Sequence, residues 1–185
     1  MMKHLALLPA VLAMGLLAAP AQADSFSVDF GPVSSDVNGV DFTFNLVVPT
    51  VIIGDGTLTL TLDGDFNTSS EYADVILDGL LIGRILDDDT GNDPFNFANG
   101  DDPDASSSAG DPDTGSATIS NAILAPRIAD GLLVLQINTS STVNFSTTTV
   151  SGTLSFKTVP EPTCLAPSCG ALATILLRRR RRTST

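Results

Sequence analysis

Hydrophobic and polar residues alternate with a period of two along most of the chain, which is the pattern of strands that bury one face. Phe26, Val28 and Phe30 begin the series, and Val40, Phe42, Phe44 and Leu46 repeat it after an Asn38-Gly39 turn. Beyond Pro49 and a second expected turn at Gly54-Asp55-Gly56, Leu58, Leu60 and Leu62 alternate with outward threonines, β-branched residues suited to a solvent-facing strand surface. Asp63-Gly64 closes that strand. Residues 72–77 and 80–86 flank Asp78-Gly79, the dipeptide of a tight hairpin. Further strands are expected at 117–124, ending in a break at Ala125-Pro126, and at 132–138 after Asp130-Gly131. Val143 with Phe145, and residues 150–156, complete the set. The pattern predicts an all-β chain of about nine short strands, an antiparallel β-sandwich of jelly-roll-like form, with no helix outside the two ends.

One connection breaks the rhythm. Residues 87–115 carry nine aspartates and three Asp-Pro bonds, and are longer than the usual link between strands. Such a segment reads either as a solvated insertion or as a loop folded by calcium. Phe95 and Phe97 in its middle give it a means of attachment to the strands.

The two ends have a different character. Lys3 and His4 precede an apolar stretch from Leu5 to Pro20, and Ala21 and Ala23 place small residues at the positions a signal peptidase requires. This predicts a secretory signal over 1–23, cut after Ala23. At the far end, Val159-Pro160-Glu161-Pro162-Thr163 leads into an apolar run, 164–177, and then Arg178, Arg179, Arg180, Arg181 and Arg182. That run is short for a permanent span, which needs roughly 20 apolar residues, but a basic flank fixes its cytoplasmic side. A plain C-terminal anchor, with Val159 to Pro162 as merely a stiff linker, is the competing reading.

The combination of Pro160-Glu161-Pro162, an apolar segment and a terminal arginine cluster resembles the PEP-CTERM sorting signal of exported bacterial proteins. The resemblance covers about the last 25 residues. It implies an exosortase-like membrane enzyme that cuts near Pro160 to Pro162, with 164–177 as a transiently anchored hydrophobic helix and Arg178 to Arg182 as its stop-transfer cluster. It also implies delivery through the export machinery to the cell envelope, surface or extracellular matrix. Between the ends lies one acidic domain, 24–158, for which the expected role is structural or adhesive, with exopolysaccharide or other surface proteins as partners.

Charge and absences narrow the chemistry. Between Asp24 and Thr158 twenty acidic residues stand against Arg84, Arg127 and Lys157, a net charge of −17. Such a field repels nucleic acid and attracts cations. The only histidine is His4, and both cysteines, Cys164 and Cys169, lie in the tail. A Ser-His-Asp triad, a Cys-His dyad, the common zinc sites and a disulfide are therefore absent from 24–158, and a non-enzymatic role is expected.

One constellation fits a hard cation. Asp63, Asp65 and Asn67 supply three side-chain oxygens around a turn, and Glu71 and Asp74 follow at the ninth and twelfth positions of an EF-hand spacing. Thr68 occupies the sixth position, where an EF-hand has glycine, and strands flank the turn. A turn in which Asp and Asn cap their own backbone is the competing reading. If calcium binds, the domain becomes a calcium-dependent binding module, with polysaccharide among its candidate partners.

Overall fold

The computed structural model describes residues 23–97, 112–143 and 147–159. They are mostly antiparallel β-structure in two sheets. Nine strands occur among them: β1 (Asp24–Ser35), β2 (Asp41–Val47), β3 (Ile52–Asp63), β4 (Ala73–Leu77), β5 (Leu80–Ile85), β6 (Phe95–Phe97), β7 (Asp113–Ile119), β8 (Leu132–Thr139) and β9 (Thr148–Thr158). One sheet has the order β1-β9-β3-β7-β6 and the other β2-β8-β4-β5. Only β4-β5 and β6-β7 join neighbours within a sheet; every other connection crosses from one sheet to the other.

The alternation in the sequence becomes the two faces of each sheet. Leu58, Leu60 and Leu62 of β3, Val150 and Leu154 of β9, Val75 and Leu77 of β4, and Leu133, Leu135 and Ile137 of β8 are all essentially inaccessible and belong to one hydrophobic core. Phe30 of β1 meets Phe44 of β2 at 4.9 Å between ring centroids, joining the two sheets at one margin. On the outer face of the five-stranded sheet, hydroxyls pair across strands: Thr59 with Ser116 at 2.9 Å, Thr61 with Thr114 at 2.9 Å, and Thr153 with Asp29 at 2.7 Å.

Several elements differ from the sequence pattern. Gly54-Asp55-Gly56 is no turn; it lies inside β3 as a register shift between Ile53 and Thr57 against β9, with Gly54 at φ 75°. β1 likewise runs on to Ser35 through a shift between Phe30 and Val33. The expected strand at 117–124 stops at Ile119, and a short helix, α1 (Asn121–Arg127), follows, with Pro126 inside it. Leu124 of this helix is fully buried and packs closely against Gly56, beside the β3 irregularity. Arg127 then bonds the Ile123 carbonyl at 2.7 Å and the Leu77 carbonyl at 3.2 Å, so one side chain caps both the helix and β4.

Phe95 and Phe97 lie in β6, paired to β7, and Phe97 packs over Gly115, so the expected 87–115 connection contains one strand at 95–97 and ends inside another that starts at Asp113. Val143 is buried but outside any strand, and Phe145 falls outside the described residues. The Asp78-Gly79 hairpin forms as expected, with both residues at positive φ, 44° and 75°.

Register also fixes what lies at each end of the molecule. Asp24 opposes Thr158, and Thr158 opposes Ile52, so the start of β1 and the end of β9 lie side by side. That same end holds α1, the Asp78-Gly79 turn and Val47 opposite Leu132. The opposite end carries Asp36, Asp41 and Asp63, the turn that contains Asp65 and Glu71, and the start of the acidic connection at Asp87.

Candidate functional site

The turn after β3 is anchored by Phe66, which is 1% exposed, beneath Gly64. Sinking Phe66 into the core carries its neighbours down with it. Asp65 is 2% exposed and Glu71 is 7% exposed, unusual depths for carboxylates. Asn67 links them: its side-chain amide donates to Asp65 Oδ1 at 2.6 Å, and its backbone N–H donates to Glu71 Oε2 at 2.9 Å. Burial pushes the Asp65 carboxyl above the ordinary carboxylate range, and the nearby Glu71 charge adds to the push. Two buried acids around one asparagine can take up a proton or a cation, since either removes the repulsion.

Of the five residues expected to hold calcium, the structure thus brings together Asp65, Asn67 and Glu71. Asp63 ends β3 directly before them, with a partner of its own. Asp74 is turned elsewhere. It lies on the outer face of β4 and takes a two-pronged bond from Arg84 of β5, Nε to Oδ1 at 2.8 Å and Nη2 to Oδ2 at 3.1 Å. The Asp74 hydrogen bond holds the Arg84 guanidinium above its ordinary pKa. Arg84 also lies 3.7 Å from the centroid of the Tyr72 ring, a cation–π contact. Among the described residues no group of three His, Cys, Asp or Glu side chains is placed to share a metal ion.

The Tyr72–Asp74–Arg84 cluster is absent from the sequence reading. In register, Asp41, Asn138, Asp74 and Arg84 form one row across the four-stranded sheet. The amide Oδ1 of Asn138 is buried there and meets no hydrogen-bond donor among the described residues. The signal that could have exposed the row is the β4-β5 hairpin, but straight counting from Leu77 opposite Leu80 sets Asp74 against Gly83. A register shift between Val75 and Ile76 brings Arg84 there instead.

At the other end, Ala23 is exposed immediately before β1, and Val159 is 50% exposed immediately after β9. Ala21, Pro160, Glu161, Pro162 and Arg178 to Arg182 lie outside the described residues. No helix among the described residues is long and apolar enough to cross a membrane. No family model matches the chain, and no curated protein matches it in sequence.

Proposed function

We propose that the chain is an exported, non-enzymatic surface or matrix protein: a jelly-roll-like β-sandwich delivered by its C-terminal sorting tail and used for structure or adhesion. The observation that carries this reading is the tail itself, Pro160-Glu161-Pro162 followed by an apolar run and five arginines, behind a domain without His or Cys. The placement of Asp24 beside Thr158 suits it, because the segments expected to engage the membrane then flank the same end of the domain. An exosortase-like enzyme would cut the tail near Pro160 to Pro162 and release the domain from its transient anchor. The test is intact-mass analysis of the exported protein from a host that carries such an enzyme. A mature N-terminus at Asp24 and a C-terminus near Pro160 to Pro162 are expected, with retention of the tail when Pro160, Glu161 and Pro162 are replaced by alanine. Recovery of the full-length chain in the cytoplasm alone would sink the proposal.

A second reading is favoured by the buried Asp65–Glu71 pair: a calcium-dependent binding module with polysaccharide or another surface molecule as partner. A ligand that binds only the folded state stabilises it by about 2.7 kcal/mol at a hundredfold excess over its dissociation constant. Thermal melts of the protein in calcium and in chelator test it. A rise with calcium that Glu71→Gln abolishes supports the site, and identical melts in both solutions remove it.

A further inference from the structure

We propose that β2 is a docking edge for a second copy of this chain: two molecules join by pairing their β2 strands antiparallel about Phe44, so that their four-stranded sheets become one. The proposal goes beyond the reading above and does not depend on the tail.

The ladder between β2 and β8 determines which backbone groups remain available. The Val40 carbonyl accepts from the Thr139 N–H at 3.1 Å, and the Val48 N–H donates to the Gly131 carbonyl at 3.0 Å. In an antiparallel ladder, residues that bond the neighbour alternate with residues that face away. Phe42, Phe44 and Leu46 therefore bond β8, while Asp41, Thr43, Asn45 and Val47 turn their N–H and C=O groups to the margin. All four are exposed, and no strand among the described residues lies beyond them. The other three edge strands are blunted by devices that discourage pairing. β1 breaks register between Phe30 and Val33, around Pro32; β5 breaks register against β4 and has Asp93 and Pro94 against its Gly83; β6 is three residues long. β2 has none of these: it keeps register with β8 throughout and contains no proline, lysine or arginine.

The residues of β2 identify the occupant, because the strand is complementary to itself. Turned about Phe44, it sets Phe42 beside Leu46 of the second copy and Phe44 beside Phe44 on the core side. On the outer side it sets Thr43 beside Asn45 and Asp41 beside Val47. Apolar residues meet apolar ones, a hydroxyl meets an amide, and no carboxylate opposes a carboxylate. The two outer pairs are those whose backbone groups face the margin, so each exchanges two backbone hydrogen bonds. Val47, 76% exposed in the single molecule, gains a neighbour across the seam. Asp41 and its equivalent lie at opposite ends of the seam, about 20 Å apart at ~3.3 Å per residue, beyond the roughly 8 Å over which charges act at physiological salt. The net charge of −17 on each domain opposes association at longer range, so added salt should favour the dimer; a basic partner strand would respond in the opposite sense.

The test is sedimentation of the full-length chain in detergent, with Cys164→Ser and Cys169→Ser, over a range of protein and salt concentrations. A monomer–dimer equilibrium that salt strengthens is expected. Thr43→Pro removes an N–H that faces the margin, a place where edge strands tolerate proline. It should weaken the dimer by at least about tenfold and leave the melting temperature of the monomer unchanged. Thr43→Val keeps the N–H and should dimerise as the parent does. Register is read by disulfides: on oxidation, Thr43→Cys mixed with Asn45→Cys should cross-link more than either variant alone, because opposed Cα atoms about 5.5 Å apart lie within disulfide reach. A parent that stays monomeric at every concentration would overturn the proposal, whether another segment of the chain or a different protein holds the edge. Dimerisation that Thr43→Pro leaves intact would overturn it too, as would cross-linking no stronger in the mixture than in the separate variants. If Thr43→Pro fails to fold, the cross-linking pair decides by itself.

Discussion

Among the described glycines of ordinary backbone conformation, Gly152 leaves the least room for the methyl group of an alanine. Gly152 lies in the middle of β9, opposite Phe30 on one side and Leu60 on the other. A Cβ there would come within 2.2 Å of the Thr59 carbonyl oxygen and 2.6 Å of Phe30 Cζ. Carbon and a carbonyl oxygen approach comfortably to about 3.3 Å, so something must move by about 1 Å. Thr59 O is backbone in a central strand and cannot rotate away. Phe30 is 5% exposed and held against Phe44, so its ring has no vacant place either. Overpacking of this kind costs about 1–3 kcal/mol, and a ladder hydrogen bond stretched by the shift adds about 1 kcal/mol, which together give about 3 kcal/mol. Such a loss is a large fraction of a stability of roughly 5–15 kcal/mol. With a urea slope of about 1–3 kcal/mol/M, the unfolding midpoint should fall by about 1–3 M. Gly54→Ala is the control. Nothing lies within 4 Å of its Cβ, and only its φ of 75° is against it, so it should cost about 1 kcal/mol. A Gly152→Ala midpoint equal to that of the parent, or to that of Gly54→Ala, would refute the steric argument.

Leu124→Ala should destabilise by about 2–5 kcal/mol, because it empties a fully buried site beneath Gly56, and a midpoint shift below that of an exposed control such as Leu132→Ala would contradict this packing. Asp65→Asn tests the buried acid pair in chelator. A folded-state pKa raised above its ordinary 3.8 means that Asp65 contributes stability below about pH 4 and loses it as pH rises through the folded value. The variant should therefore match the parent near pH 3.5 and become the more stable of the two toward neutrality, read as melting temperature against pH. A parent that stays ahead at pH 7 would show that the ionised carboxylate is needed. Arg84→Gln should cost no more than about 1 kcal/mol in urea, since the Asp74 pair is partly solvated and screened, and a larger loss would assign the Tyr72–Asp74–Arg84 cluster a structural weight that its exposure does not suggest.

Where strands bury one face, the period of two was enough to find them, as at Leu58, Leu60 and Leu62 or Phe42, Phe44 and Leu46. It failed where an irregularity reset the phase. Gly54-Asp55-Gly56 has the composition of a turn, but β9 offers hydrogen-bonding partners on both sides of it, and the chain absorbs the extra residues inside the strand. Asn121–Arg127 carries a proline and too few residues for a helical period to emerge, and the packing of Leu124 against Gly56 is a tertiary contact that the local sequence does not announce. The Asp63–Glu71 turn was recognisable as a cluster of oxygens because its residues are local. Asp74 belonged to the same spacing, yet it points out of the sheet toward Arg84, a pairing set by a single register shift in the hairpin.

The place of β9 has a consequence in time as well as in space. This last strand lies between β1, the first, and β3, so the five-stranded sheet stays divided until the end of the domain is available. Among the described residues β1 has no neighbour in its sheet other than β9. If the chain is exported N-terminus first, as proposed, it cannot complete this fold on the way. Non-local pairing of this kind is slow, and here it must also wait. The first strand remains unpaired and its hydrogen-bonding edge open until residues 148–158 arrive, only moments before the tail that follows them. On the proposed reading the fold would work as a timer, because the finished domain and the emergence of the tail that follows it would be nearly the same event.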